Sequence, residues 1–289
     1  MKIIVTGSDG YIAKNLIKNI KSNNELILLS RKKKTKSNNK IKIFNFDLKK
    51  KIIPRLDCDV LIHAAAITPQ KKYSDKEFNS VNFLSLKNIL KNITKKNKII
   101  FFSTTDVYKN QKNIKPVKEN LKINLKKISN YAKSKHDSEK FLKSLNKKKY
   151  PFQKIILRLP GIVGNNNHQN FITQLIENTI NKKDSINFCK TNFFNNIYHI
   201  VDLIKIIKMF ISKKISKNFL IINIGTKNPI KISKILQILK CKTKMRSSKV
   251  SKKDSFTINV TKLNKYYKRN QDTKAVIKKY FKEKLYIKK

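Results

Sequence analysis

The chain has 289 residues, and its 68 Lys and Arg residues against 17 Asp and Glu residues give a formal net charge of +51. This length allows one large domain or two smaller ones around a substantial core. No apolar run approaches the ~18 residues that a transmembrane helix needs, so we expect a cytoplasmic protein without a membrane partner. The three cysteines and four histidines show neither disulfide nor metal-ligand spacing, and we expect no metal site.

The positive charge comes almost entirely from lysine, because only five of the basic residues are arginines. Recognition of phosphates and bases favours the planar guanidinium group of arginine. The lysines are also spread over every predicted helix, and no stacking aromatic residues alternate with a basic stripe. The composition therefore predicts a solvated basic surface and no nucleic-acid partner. Binding to nucleic acid is kept as an alternative hypothesis.

The first seventeen residues organise the interpretation of the whole chain. Residues 2–5 are apolar and β-branched apart from Lys2, which is typical of a central strand covered on both faces. Gly7 follows where a sharp turn is needed, Gly10 where the backbone must approach a pyrophosphate, and Ala13 where a helix packs on the strand. A dinucleotide phosphate would lie at the N-terminus of that helix. The cofactor-binding residues predicted here are Gly7, Ser8, Asp9, Gly10, Tyr11 and Ile12.

The second predicted strand, residues 25–30, ends at Ser30 and Arg31. In a dinucleotide fold this strand end contacts the adenosine ribose, through an acid for a free 2′-hydroxyl or through an arginine for a 2′-phosphate. Because no acid follows the strand, Ser30 and Arg31 favour NADP over NAD. Arg31 could instead open a solvated basic loop, and NAD stays the alternative cofactor.

Two more strands are predicted, one near residues 41–46 and one over 59–66. The second of them ends in three alanines, which keep side chains short where the backbone could pass close to a cofactor. A helical pattern over 75–96 then carries Asn82 on its apolar side. Asn82 is either a satisfied core amide or a ligand contact.

A candidate catalytic pair follows the fifth predicted strand, residues 98–106, which ends in hydroxyl side chains. Tyr131 and Lys135 are four residues apart in the next helical segment and so share one helix face. A free tyrosine titrates near pH ~10, and a neighbouring ammonium would favour its phenolate. The pair therefore suits proton transfer coupled to hydride transfer, with Thr104 holding the substrate oxygen.

Beyond a sixth strand at residues 152–159, the alternation of strands and helices becomes less regular. The pattern predicts helices over 169–182 and 200–213, short strands within 185–198, a strand at 219–224, a helix after Pro229 and a Lys-rich tail. We expect an α/β fold, a doubly wound parallel sheet of Rossmann type with a smaller, interleaved C-terminal lobe for substrate. The predicted dinucleotide-binding domain is 1–166 with 196–225, and the predicted substrate lobe is 167–195 with 226–289.

Motifs along nearly the whole chain resemble those of an extended short-chain dehydrogenase/reductase of the NAD-dependent epimerase/dehydratase family. They are the Thr-Gly-x-x-Gly-x-x-Ala turn at 6–13, Asp47-Leu48, His-x-Ala-Ala at 63–66, Asn82, Ser-Thr-x-x-Val-Tyr at 103–108, Tyr-x-x-x-Lys at 131–135 followed by Glu139, Arg-x-Pro-x-x-x-Gly at 158–164, His-x-x-Asp-Leu at 199–203 and Asn-x-Gly at 223–225. The resemblance implies oxidation or reduction at a hydroxylated carbon of a nucleotide-diphosphate sugar. Tyr131 would be the acid/base, Lys135 would bind the nicotinamide ribose, and Thr104 would orient the hydroxyl.

The same resemblance implies further contacts and a homodimer. This chain also departs from the family pattern at two places. The further cofactor contacts are Asp47, Leu48, His63, Ala64, Ala65 and Pro160, and the substrate contacts are Thr105, Asn82 and Asn195. Dehydratases of the family carry a Thr-Asp-Glu segment where this chain has Thr104-Thr105-Asp106. The acid that would protonate the leaving hydroxyl is therefore missing. Asn195 and Asn196 lie where 4-epimerases usually carry an arginine that binds the nucleotide. The identity of the nucleotide is therefore left open. We expect a sugar-nucleotide epimerase or 4-ketoreductase; a non-catalytic NAD(P)-binding sensor is the alternative.

Overall fold

The structure is a computed structural model that describes residues 1–31, 39–47, 55–93, 97–111, 116–183, 192–240 and 256–288. A seven-stranded sheet forms its centre. The strands of this sheet are β1 (Lys2–Thr6), β2 (Glu25–Ser30), β3 (Ile41–Asn45), β4 (Val60–His63), β5 (Lys98–Thr104), β6 (Gln153–Leu159) and β10 (Phe219–Asn223). Leu48 and the first half of the segment predicted to form short strands at 185–198 lie outside the described residues.

The strand order of the sheet is β10-β6-β5-β4-β1-β2-β3. β1 pairs in parallel with both β2 and β4, and β2–β3 and β4–β5 are parallel as well. This is the Rossmann order 3-2-1-4-5-6 with one strand added beyond the sixth, so the predicted fold class is confirmed. The order reverses between β1 and β4, which is where such sheets bind ligands.

The helices that matter for the site are α1 (Tyr11–Ile20), α2 (Asp75–Phe78), α3 (Ser85–Asn92) and α4 (Asn130–Ser144). The predicted helix over 75–96 is interrupted, because a π-helical segment at Asn79–Leu84 separates α2 from α3. Such segments add one residue to a turn and occur often at functional sites. Here the segment carries the buried Asn82.

A hydrophobic core lies against the sheet and explains why the strands are so apolar. Ile4, Leu61, Ile99 and Ile156, from four neighbouring strands, are fully buried in one cluster. Leu86 and Ile89 of α3 pack in the same cluster and are also fully buried. At roughly 25 cal/mol per Å² of apolar surface, burial of such side chains is the main term that stabilises the sheet.

The chain divides into two compact units, which interleave in sequence. The first unit contains residues 1–104, 129–157 and 204–221, and the second contains 105–128, 158–203 and 222–289. The division differs from the predicted domains, since residues 105–128 and 158–166 group with the C-terminal part. Which part binds cofactor and which binds substrate stays a prediction.

The second unit has its own small sheets and its own core. In it β7 (Gly161–Val163) pairs in parallel with β9 (Ile197–His199), and β8 (Phe193–Phe194) pairs antiparallel with β11 (Ile230–Lys231). The remaining helices of the described chain are α5 (Phe171–Ile180), α6 (Ile200–Ser212), α7 (Ile232–Ile238), α8 (Thr261–Tyr266) and α9 (Thr273–Lys288). Buried aliphatic residues of β7, α5, α7 and α9 form one cluster.

Candidate active site

The turn between β1 and α1 has the geometry of a phosphate-binding turn. Gly7 has φ +65°, a left-handed conformation, and a Cβ built on it would lie 2.6 Å from the Cα atom of Ala65. The Gly7 amide donates to the Leu29 carbonyl at 3.0 Å, which ties the turn to the end of β2. Gly10 is the N-cap of α1, and no side chain caps this helix. The amide groups of its first turn are therefore suited to an anion.

A cavity of about 340 Å³ opens above this turn. Its walls come from the glycine turn and from the ends of β2, β3 and β4. Among the residues that line it are Gly7, Asp9, Gly10, Arg31, Asp47, Ala64 and Ala65. Short alanine side chains form part of this wall. A Cβ added at Gly10 would meet only the Gly7 carbonyl oxygen within 4 Å, at 3.1 Å. These features fit a dinucleotide.

The other predicted cofactor residues lie near the turn or elsewhere in the fold. Ser8 is buried, and its amide donates to the Leu29 carbonyl at 3.4 Å. Tyr11 and Ile12 begin α1 and are partly exposed. Pro160 is buried directly after β6, in the second unit. Their contacts with a cofactor stay predictions.

An acid lies at the end of β2, although none follows that strand in sequence. The hydroxyl of Ser30 donates to the Asp9 carboxylate, which comes from the glycine turn. Arg31, the other predicted ribose contact, is exposed and lines the same cavity. A sequence pattern gives no sign of this pairing, because Asp9 and Ser30 are 21 residues apart and meet only through the parallel pairing of β1 with β2.

Two of the predicted catalytic residues, Lys135 and Thr104, lie at the end of β5, and Tyr131 packs nearer to the cavity lining. Lys135 is 2% exposed, and its Nζ donates to the Phe102 carbonyl at 2.8 Å, two residues before Thr104. Tyr131 is partly buried one helical turn earlier and packs on a cluster that includes Ile67 and Val81, which also line the cavity. Thr104 is the last residue of β5 and is 6% exposed. α4 therefore places the Tyr131 ring next to the cavity wall.

Burial changes the titration of two groups near this strand end. It lowers the pKa of Lys135 to about 7, while the negative charge of Glu139 acts in the opposite direction. Burial, followed by the charge of Lys135, lowers the pKa of His63 to about 3. His63 is therefore neutral near pH 7, and its Nδ1 lies 3.0 Å from the Thr6 hydroxyl.

The amide of Asn82 is fully used within the protein. Its Oδ1 accepts from the Ile67 amide at 2.9 Å, and its Nδ2 donates to the Ile67 carbonyl at 3.1 Å and to the Ser134 hydroxyl at 3.2 Å. Asn82 thus ties the chain after β4 to α4, next to the catalytic pair. Of the two alternatives from sequence, this geometry favours the satisfied core amide, and contact with substrate stays a prediction.

The two other predicted substrate contacts belong to the second unit and have protein partners. The Thr105 hydroxyl lies 2.8 Å from Asn196 Oδ1 and 3.2 Å from the Leu159 carbonyl. Asn195 is 1% exposed, and its amide bonds to the backbone of Thr226 and Ile258. Neither side chain shows a spare donor, and their contacts with substrate stay predictions.

Two features are absent from the described part of the chain, a membrane-spanning helix and a metal-binding cluster. No helix there is both long enough and apolar enough to span a bilayer. Within the same ranges, no group of three or more His, Cys, Asp or Glu side chains could hold a metal ion.

The strand order, the glycine turn and the adjoining Tyr131–Lys135 pair define a dinucleotide-binding protein of the short-chain dehydrogenase class. The profile described as "NAD dependent epimerase/dehydratase family" matches residues 3–225. The chain therefore belongs to the NAD-dependent epimerase/dehydratase family. This membership confirms the predicted family and the prediction of an NAD-dependent enzyme.

Relatives in sequence and structure agree with this assignment. The GDP-6-deoxy-D-talose 4-dehydrogenase of Aggregatibacter actinomycetemcomitans is 26% identical over 261 residues, which cover 89% of this chain and 84% of that protein. UDP-N-acetylglucosamine 4-epimerase from Methanobrevibacter ruminantium M1 matches with a TM-score of 0.76 at 19% identity, over 99% of this chain and 98% of that chain. UDP-glucuronic acid 4-epimerase from Bacillus cereus, solved with NAD, gives 0.77 at 19% identity, over 98% and 96%.

Proposed function

We propose that this protein is an epimerase or 4-ketoreductase that acts at C4 of a nucleotide-diphosphate sugar. The observation that carries the proposal is the anchoring of Lys135 to the β5 backbone, which fixes Tyr131 against residues that line the dinucleotide cavity. The names of the three relatives support C4 as the reacting carbon, since all are 4-epimerases or 4-dehydrogenases of UDP- or GDP-sugars.

The proposed mechanism assigns one task to each residue. The nicotinamide cofactor, when bound at the glycine turn, supplies hydride transfer. Tyr131 takes the proton from the sugar hydroxyl during oxidation and returns it during reduction. The Lys135 ammonium favours the phenolate form of Tyr131 through its charge. Thr104 holds the sugar oxygen by a hydrogen bond.

The substrate class is tested by incubating the purified protein with UDP-, GDP- and dTDP-hexoses and with their 4-keto derivatives, with and without NADH or NADPH. Products are resolved by chromatography and mass. An epimerase gives a product of unchanged mass, whereas a ketoreductase needs a 4-keto substrate and consumes reduced cofactor. Absence of turnover with every hexose and every 4-keto sugar contradicts the proposal.

We also predict that the enzyme does not perform 4,6-dehydration. Elimination of water needs one group that takes a proton from carbon and another that protonates the leaving hydroxyl. Thr105 stands where the dehydratases carry the acid, and its hydroxyl lies against the side chain of Asn196. A product lighter by one water in the same hexose panel contradicts this prediction and the assignment of Thr105.

For the cofactor, we keep NADP as the preferred form, with NAD as the alternative. Arg31 lines the cavity and can bind a 2′-phosphate, which supports NADP. The Asp9 carboxylate at the same strand end opposes it, because it would repel that phosphate and can accept from a 2′-hydroxyl.

The two side chains give opposite expectations in calorimetry. Arg31→Ala should weaken NADP binding by about 1–3 kcal/mol, the range for a hydrogen bond to a charged group. Asp9→Asn should strengthen NADP binding relative to NAD, because it removes the repulsion and keeps a partner for Ser30. Arg55→Ala, at an exposed site outside the cavity lining, is the control. Tighter NAD binding by the unaltered protein, with no effect of Arg31→Ala, contradicts the NADP preference.

The proposal includes two further expectations from the sequence, namely a homodimer and a location in the cytoplasm. For the dimer, the π-helical segment and α4 offer apolar side chains that are not fully buried. Leu84 is 41% exposed just before α3, and the partly buried Phe83 and Phe141 rings meet edge to face, 6.2 Å apart. Such a patch can pair with the same patch on a second copy.

A further inference from the structure

A buried carboxylate lies one helical turn beyond Lys135, and the mechanism above gives it no task. Glu139 of α4 is 2% exposed. A buried carboxylate is unfavourable unless hydrogen bonds and an opposite charge compensate for the lost water. The partners of Glu139 therefore indicate what it does.

Both oxygens of Glu139 face named partners. Oε1 accepts from the Ser103 hydroxyl at 2.5 Å, and Oε2 lies 3.4 Å from His136 Nδ1. Ser103 directly precedes Thr104 at the end of β5. The first contact thus fastens α4 to the strand end that carries Thr104, and His136, whose side chain is 13% exposed, covers the carboxylate from the solvent side.

Glu139 follows Lys135 by four residues on the buried face of α4, where side chains at this spacing are neighbours. Its charge therefore acts on a lysine that burial would otherwise neutralise. Lys135 Nζ has the Phe102 carbonyl at 2.8 Å and the Phe101 ring centroid at 4.8 Å, and neither carries a full negative charge. Burial lowers the pKa of Lys135 to about 7, and Glu139 is the group that raises it. Without this carboxylate the lysine would be mostly neutral near pH 7.

The other groups around Lys135 do not replace Glu139. His63 on β4 is neutral near pH 7, since burial lowers its pKa to about 3. The π-helical segment that packs on α4 contains no charged residue. Of the α2 acids, Asp75 bonds to Asn130 at the start of α4, and Glu77 closes the capping box of its own helix.

We propose that Glu139 is a positioning residue: its buried carboxylate favours the charged form of Lys135 and, through Ser103, holds the end of β5 against α4. The catalytic part of this proposal rests on the proposed function, because Lys135 must be charged to favour the Tyr131 phenolate. The coupling between Glu139 and Lys135 does not depend on any substrate.

The first test measures the ionisation of Lys135 without cofactor or turnover. Trace acetic anhydride labels the native protein across a pH series, and peptide mass spectrometry gives the extent at each lysine. In Glu139→Gln, the pKa of Lys135 should fall by about one unit or more, the usual effect of a nearby charge. The exposed Lys133 and Lys140 of the same helix are internal controls and should not change. An unchanged Lys135 profile overturns the proposal.

The second test is the pH profile of kcat/KM. In Glu139→Gln the high-pH limb, where Lys135 loses its proton, should move to lower pH by the same amount. For a one-unit shift the loss is about fivefold at pH 7 and approaches tenfold at higher pH. A uniform loss at all pH values indicates a structural role only and overturns the catalytic part. If the unaltered enzyme turns over no sugar nucleotide, the proposed function fails while the labelling test still stands.

Two further variants separate charge from structure. Ser103→Ala removes the hydrogen bond and keeps the carboxylate, so the Lys135 labelling profile should stay near that of the unaltered protein. Glu139→Asp keeps a negative charge, so the pKa of Lys135 should fall less in this variant than in Glu139→Gln. Glu139→Asp also keeps the test possible if Glu139→Gln folds poorly. A pKa in Glu139→Asp as low as in a folded Glu139→Gln contradicts the role of charge.

Discussion

Tyr131→Phe is expected to lower turnover by about two to four orders of magnitude, the usual contribution of a positioned acid/base group. In the proposed mechanism the phenol hydroxyl moves the sugar proton, and phenylalanine keeps the ring but cannot hold that proton. The ring itself packs 6.0 Å from the Phe78 ring, a contact that the variant retains. Steady-state kinetics on the preferred sugar nucleotide measures the loss.

Cofactor binding and stability should not change in this variant. Phenylalanine keeps the ring and its contact with Phe78, so calorimetric affinity for the dinucleotide should match that of the unaltered enzyme. Tyr150→Phe is the matched control, because Tyr150 is also partly buried against a phenylalanine ring, that of Phe152. Turnover by Tyr131→Phe within a few-fold of this control assigns the proton transfer to another group.

The second large effect is expected for Gly7→Ala. The added Cβ would lie 2.6 Å from Ala65 Cα and 2.8 Å from its amide nitrogen, and both are backbone atoms that cannot rotate away. The residue would also have to hold φ +65°, which is unfavourable by roughly 1–2 kcal/mol for an L-residue. With the clash added, we expect a loss of about 3–5 kcal/mol of unfolding free energy and a Tm lower by roughly 10 °C.

Gly10→Ala separates stability from ligand binding. Gly10 has φ −69°, an ordinary value, and the nearest contact of an added Cβ is the Gly7 carbonyl oxygen at 3.1 Å. We expect a smaller change in Tm but clearly weaker dinucleotide binding, because the methyl group occupies space next to the N-terminus of α1. Thermal melts and calorimetry on both variants decide the point. A Tm for Gly7→Ala equal to that for Gly10→Ala refutes the packing argument.

The sequence determined those features that depend on neighbouring residues. The apolar run of β1, the glycine turn and the start of α1 could be predicted because strand patterning, turn chemistry and helix periodicity act within about a dozen residues. The shared face of Tyr131 and Lys135 follows from the same helical period. The long-range order of motifs pointed to the family, and the predicted doubly wound parallel sheet agrees with the strand order that the structure shows.

Tertiary structure decided which polar side chains meet. Asp9 reaches Ser30, and Ser103 reaches Glu139, across 21 and 36 residues. The interruption of the helix at Asn79–Leu84 was also unpredictable from periodicity, because a π-helical segment shifts the pattern by a single residue. Hydrogen-bond partners of buried groups depend on strand pairing and helix packing, which no local pattern contains. For that reason the sequence predicted the acid at the end of β2 to be absent, and only the fold placed Asp9 there.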